Sequence, residues 1–226
     1  MPEIRFAGVR HAYGERVVLE SIDLQLTERR IGIVGGNGSG KSTLARMING
    51  LVMPTGGTVS VDGLDTHRDG KGVRARVGFV FTDPDNQIVM PTVQEDVAFS
   101  LRRSGLSKDE RRARVQDTLQ RFGLGEHADH PPHLLSGGQK QLLALAAVLV
   151  RRPRLLVADE PTTLLDLRNA RMVGELLAGL DEQLVLVTHH LELLHGFDRV
   201  VVIDGGRVAA DDAPAPALAA YRALLG

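Results

Sequence analysis

Nine consecutive residues, Gly35-Gly36-Asn37-Gly38-Ser39-Gly40-Lys41-Ser42-Thr43, combine closely spaced glycines with a lysine and three hydroxyl side chains. Their order satisfies G-x-x-x-x-G-K-[ST]. They also lie between the apolar run Ile31–Val34 and the helical pattern LARMINGL, the strand–loop–helix setting in which that motif acts. Glycine lets the backbone curl so that successive N–H groups converge on phosphate oxygens at the positive end of a helix. Lys41 would reach the β- and γ-phosphates of a bound nucleotide, and the Ser42 hydroxyl would meet Mg²⁺.

Further along, LLVADE places Asp159 and Glu160 after four apolar residues. That puts Asp159 at the C-terminal end of a buried strand, where open α/β sheets bind their ligands. An acidic pair after an apolar run is by itself a helix cap or a turn. Beside a phosphate loop, Asp159 suits Mg²⁺ held through water, and Glu160 suits the orientation or deprotonation of an attacking water. Between these two motifs lies LSGGQ, Leu135 to Gln139. Ser136 with Gln139 three residues on is a capping-box pattern that opens the apolar helix QKQLLALAAVLV.

These groups need a frame, and the apolar patterning supplies one. Early segments (EIRFAGVRHAY, VVLESIDLQLTE with apolar residues at Ile22, Leu24 and Leu26, and TVSVDG) alternate or end in turn signals, as a small antiparallel lobe does. IGIVG, VGFVF, LLVAD, LVLVTH and VVVID are continuous instead, the pattern of strands buried on both faces. Helical stretches separate several of them, so the fold expected is α/β: a P-loop core with a mostly parallel sheet, a small antiparallel β lobe and a helical insert. The insert runs from Thr92 towards Pro131 and Pro132, with a solvated, arginine-rich face.

Composition narrows the function. The 226 residues hold 27 basic and 28 acidic side chains, for a net charge of -1, and no cysteine. There is no concentrated basic excess for gripping nucleic acid, and six Phe and two Tyr make a poor base-stacking platform. Thiolate chemistry and disulfides are excluded. The N-terminus carries charges where a signal peptide would be apolar, and the run Leu142–Val150 is about half a bilayer crossing.

With the phosphate loop upstream and LLVADEP downstream, LSGGQ resembles the signature of ATP-binding-cassette ATPases, and the likeness runs from about Ile4 to Val208. The resemblance implies that residues 1–226 form a single ATPase domain: 1–91 and 152–210 the core with its β lobe, 92–151 the helical insert, and 211–226 a terminal helix. It implies that Tyr13 stacks on adenine, that Asp166 at the end of TTLLD contacts the opposite subunit, and that His189 in VTHH contacts the γ-phosphate. It further implies a head-to-tail dimer, homodimer or paralogue pair, in which ATP with Mg²⁺ lies between one phosphate loop and the partner's Ser136-Gly137-Gly138-Gln139.

The segment PDNQIVMPTVQEDVAF is similar to the ATPases of energy-coupling-factor importers, and the whole pattern is most similar to the ATPase of tripartite biotin importers, with cobalt and nickel importers as competitors. The expected partners are then a transmembrane coupling protein and a small-molecule-binding membrane protein, with no nucleic acid. The expected place is the cytoplasmic face of the membrane. Ile88, Val89, Met90 and Val93 are candidate contacts for the membrane partner, with internal packing of the run as the alternative. Where relatives carry a metal-contacting glutamine this chain has Thr82, whose hydroxyl would reach Mg²⁺ through a water; Gln87 looks structural. His190 stands where an acidic residue is common, and Leu142 where many relatives carry Arg. A small-molecule kinase would have no reason for LSGGQ before the acidic strand, and a translation-factor cassette would carry two cassettes in one chain. A stand-alone cassette outside transport is the remaining competitor.

Overall fold

The three alternating segments at the front of the chain form one antiparallel sheet. The computed structural model describes residues 1–226. In it β1 (Ile4–Tyr13) pairs with β2 (Arg16–Leu26) on one side, and on the other with β4 (Gly56–Val61), which in turn pairs with β5 (Leu64–Asp65). Three register shifts interrupt the β1–β2 ladder, the last between His11 and Ala12. The pairs run Phe6–Leu24, Val9–Ile22 and His11–Leu19, so β1 gains a residue at Gly8 and β2 gains one at Ser21, both at positive φ. The first two shifts offset one another, and the inward face reads Phe6, Val9, His11 on β1 against Leu24, Ile22, Leu19 on β2.

The continuous apolar runs make the second sheet, six strands in the order β10-β9-β3-β8-β7-β6. These are β3 (Arg30–Val34), β6 (Val77–Val80), β7 (Leu155–Asp159), β8 (Gln183–Val187), β9 (Arg199–Asp204) and β10 (Arg207–Asp212). β3 runs parallel to both β8 and β9, and β7 runs parallel to β8. Every residue of β3, β7 and β8 is buried, which is why these strands are apolar without alternation. β10 is an antiparallel edge, and its charged residues Arg207, Asp211 and Asp212 discourage pairing with another chain.

Helices α1 (Lys41–Ile48) and α2 (Gly70–Arg76) follow β3 and β5. Then come α3 (Val93–Phe99), α4 (Lys108–Arg121), α5 (Gly137–Leu149), α6 (Leu167–Ala178) and the terminal α7 (Pro214–Leu225). Two compact units result. Met1–Phe79, Arg154–Glu160 and Leu180–Gly226 form one; Val80–Pro153 and Pro161–Gly179 form the other, so α6 clusters with the helices of the insert. Local chemistry fixes the helix starts: Ser107 with Glu110, and Ser136 with Gln139, form complete capping boxes, and Asp166 caps α6 through the Asn169 N–H at 2.8 Å.

The segment before α3 corrects one expectation. Val89 is 64% exposed, but Val93 is fully buried and belongs to the core of the helical unit, so it is no surface contact. The difference comes from Thr92, which caps α3 and turns Val93 inward on the first helical position. Asp96, 3% exposed, holds the same segment by accepting the Val89 and Met90 N–H groups on Oδ1 at 2.8 and 3.0 Å.

Burial raises the Asp96 carboxyl above its ordinary value, although the two N–H donors pull the other way. The native state therefore holds this proton more tightly than the unfolded chain does. That stabilisation is complete below the unfolded value and is lost as pH rises through the folded one. Asp96→Asn keeps an acceptor oxygen without the charge, so its stability relative to the parent should increase from pH 4 to pH 7. Urea midpoints measured across that range check this; a difference independent of pH would contradict it.

Candidate nucleotide site

The turn from β3 into α1 begins where no side chain fits. A Cβ on Gly35 would stand 2.1 Å from the Ile203 carbonyl oxygen on β9, so only glycine lets the chain leave the sheet there. The loop then closes through Ser39 N–H to Gly36 O at 3.2 Å, and Gly40 at φ 104° leads into the helix. Asn37 and Gly38 form the outer turn, with Gly38 at φ 78°. Lys41 is buried, and its Nζ donates back to Gly36 O at 3.1 Å, so the ammonium lies over the loop. Ser39 Oγ is buried with no protein partner, a polar atom that the loop's own fold leaves unsatisfied. Thr43 follows on the first turn of α1.

Behind the loop, Ser42 Oγ donates to Asp159 Oδ1 at 2.8 Å, and Arg46 Nη2 donates to Asp159 Oδ2 at 3.2 Å. Asp159 is wholly buried at the end of β7, and a buried carboxylate needs such partners. Ser42 and Arg46 lie four residues apart and so share one face of α1. Oxygen donors of this kind, a serine hydroxyl and a carboxylate, suit Mg²⁺. Glu160 follows at φ 53°, a backbone conformation costing about 1–3 kcal/mol for a residue with a side chain and typical of functional positions. Its N–H bonds to Val187 O on β8, and its Oε2 accepts from His189 Nδ1 at 2.6 Å. His190 packs its ring on His189 at 4.1 Å between centroids.

Tyr13 ends β1 with 53% of its surface exposed, its ring edge to face with His11 at 4.5 Å and 84°. The phosphate loop, Asp159, Glu160, His189 and Tyr13 all belong to the first unit.

The second unit holds the LSGGQ end of α5. Four N–H groups at a helix start have no helical partner. The capping box uses those of Ser136 and Gln139, at 2.9 and 3.3 Å, which leaves the Gly137 and Gly138 donors at the tip. Gly138 is required for packing as well, since a Cβ there would stand 2.5 Å from Asn169 Oδ1 of α6. Asp166 holds that asparagine through both its backbone and side-chain nitrogens, at 2.8 and 2.9 Å. Thr82 lies two residues into the second unit, in a bend that Gln87 pins by accepting from Phe81 N and donating to Ala144 O of α5, both at 3.2 Å. Leu142 is buried in α5.

The sequence reading did not single out Arg46, although its helical spacing from Ser42 was a usable signal. It also passed over His127, whose ring meets the Gln139 side chain at 2.9 Å; nothing in HADHPPH announces that contact.

Backbone donors curled before a helix, a lysine over them and a buried carboxylate on the helix's serine define a nucleotide-binding P-loop domain. The pattern of the family described as ABC transporter matches residues 19–163, and the chain belongs to that family, as its ATP-binding, ATP-hydrolysing component. The chain is 50% identical to the biotin transport ATP-binding protein BioM of Rhizobium etli over 98% of both chains. It is 45% identical to the energy-coupling factor transporter ATP-binding protein EcfA1 of Symbiobacterium thermophilum, over 92% of this chain and 78% of that one. The solved structure of CbiO1 from Clostridium perfringens, described as part of the ABC transporter complex CbiONQ, superposes with a TM-score of 0.85 at 32% identity, covering 96% of this chain and 90% of that one.

Lys41→Ala removes the ammonium and leaves the backbone loop intact. It should lower ATP hydrolysis by about 10²–10³-fold, the scale for losing one charge-stabilising donor, with little change in thermal unfolding. Steady-state phosphate release checks this, and full activity in the variant would overturn the placing of the phosphates on this loop.

Proposed function

We propose that the chain is the ATPase of an energy-coupling-factor importer, that it works as a head-to-tail pair, and that the imported molecule is biotin. The observation that carries the pairing is the tip of α5, where the capping box leaves the N–H groups of exposed Gly137 and of Gly138 outside its own bonds, at the positive end of a thirteen-residue helix. In the proposed pair, those groups meet the γ-phosphate of a nucleotide held on the other copy's loop. ATP then favours the closed pair because both faces bind it, and hydrolysis removes that preference.

Within one copy, the loop amides and Lys41 hold the phosphates, and Tyr13 offers an exposed ring to the base. Mg²⁺, held by Ser42 and Asp159, would neutralise charge across the phosphate oxygens. Glu160 takes the proton of the attacking water, with His189 fixing its carboxylate by the 2.6 Å bond. Asp166 faces the other copy.

No helix is long and apolar enough to cross a membrane. Membrane passage therefore falls to partners: a transmembrane coupling protein and a small-molecule-binding membrane protein, docked from the cytoplasmic side. Exposed Val89, with Ile88 and Met90 beside it, is the proposed contact. Support for the importer class comes from the likeness to EcfA1 and CbiO1, and support for biotin from the end-to-end likeness to the Rhizobium protein.

Glu160→Gln should bind ATP normally, lose about 10²–10⁴ in hydrolysis rate, and accumulate as an ATP-bound dimer. Gel filtration with and without ATP checks the second point; monomers alone at saturating ATP would contradict the paired site.

A further inference from the structure

The LSGGQ end of α5 is held from outside the helix. Gln139 Oε1 accepts the Ser136 N–H at 2.9 Å, so the Gln139 side-chain nitrogen faces away from Ser136 and lies 2.9 Å from His127 Nε2. On its other side, the His127 ring places Nδ1 3.1 Å from His130 Nδ1.

Only one assignment of protons satisfies this chain of contacts. The Ser136 N–H is a donor, so the Gln139 oxygen must face it. The amide nitrogen can then only donate, and His127 Nε2 must carry a lone pair. A neutral His127 therefore has its proton on Nδ1 and gives it to His130 Nδ1, which leaves the His130 proton on Nε2. Were His127 doubly protonated, Nε2–H would oppose the amide N–H₂, and Gln139 could keep its bond to Ser136 only by giving up His127.

The turn carrying both rings is itself fixed. His127 N bonds to Leu124 O and His130 N to His127 O, while the first amides of α3 reach across to it, Val93 N to His130 O and Gln94 N to Ala128 O. The Gln94 side chain is bonded to Asp129. The other charged groups of the surrounding elements are also engaged or exposed. Lys140 of α5 is paired with Asp85, Asp96 of α3 holds Val89 and Met90, Glu95 bonds to Thr92, and Arg121 at the end of α4 stacks on Phe122. Glu126 is exposed on the turn itself. His130 is thus the titratable partner in contact with the His127 ring.

We propose that neutral His127 is a positioning residue for the signature end of α5: by accepting from Gln139 it fixes the amide that closes the cap, and its protonation releases that amide. The consequence for hydrolysis rests on the paired ATP site proposed above; the state of the ring and of the cap does not.

Two measurements separate the levels. On the nucleotide-free protein, ¹⁵N–¹H correlation of the imidazoles should show His127 in the Nδ1–H form near pH 8, and the Ser136 amide should exchange faster in His127→Leu than in the parent. An Nε2–H tautomer, or unchanged Ser136 exchange, would overturn the proposal whatever the ATPase does. The second is the pH profile of ATP hydrolysis from pH 8 to 5.5, the range over which histidine changes charge. His127→Leu should be about three- to tenfold slower at pH 8, on the scale of a lost helix cap. His127→Gln, which offers an uncharged acceptor near the Nε2 position, should approach the parent at pH 8 and retain more activity than the parent towards pH 5.5. A parent-to-Gln ratio that stays constant with pH would overturn the role in hydrolysis. A parent that hydrolyses ATP without forming an ATP-dependent dimer would instead count against the paired site, leaving the tautomer and exchange results standing.

Discussion

The bond from Ser42 Oγ to Asp159 Oδ1 is the constraint around which the first unit is arranged. It joins the opening turn of α1 to the end of β7, although β8 separates β3 from β7 in the sheet. A carboxylate with no solvent exposure is tolerated only when its oxygens are satisfied, and Ser42 and Arg46 do this from a single helical face. The phosphate loop, the acidic pair and His189 consequently emerge at the same ends of three parallel strands. Two-sided burial explains why the interiors of those strands are apolar, and why polar residues such as Arg30, Asp159 and Gln183 appear only at their ends.

The second unit meets a related demand with different parts. Its helix start uses two amides on its own box and leaves two at the tip. Gly138 is bare because Asn169 occupies the space a methyl would need, and Asp166 holds Asn169 there. One glycine therefore serves packing while its own N–H stays outside the capping box. Both units present backbone N–H groups at helix starts, fixed before any ligand arrives. Preorganised donors of this kind are effective because no reorganisation is needed when charge reaches them.

Much of this was legible in the sequence, for physical reasons. Glycine spacing around Lys41 is a local backbone requirement, and continuous apolar runs report burial directly, so the phosphate loop, Asp159 and the parallel core were readable. Ser136 and Gln139 were readable as a cap because the box is closed within four residues. What escaped depends on distant pairing. The bulges at Gly8 and Ser21 set which face His11 occupies, and they show only in the β1–β2 register. The two bonds of Gln87 and the contact between His127 and Gln139 join segments that no periodicity connects. Contact and core readings stayed open for Val93 because an apolar run beside a turn looks the same whether it faces inward or outward until the cap at Thr92 orients it.

The central claim is that each ATP is served by two copies, and complementation tests it most directly. Ser136→Arg subunits, which obstruct the signature tip, would be mixed with Lys41→Ala subunits, and hydrolysis measured before and after mixing. A head-to-tail pair predicts two nearly inactive proteins that regain activity together, because each mixed dimer contains one intact loop facing one intact tip. A mixture no more active than the average of its two components would contradict the account.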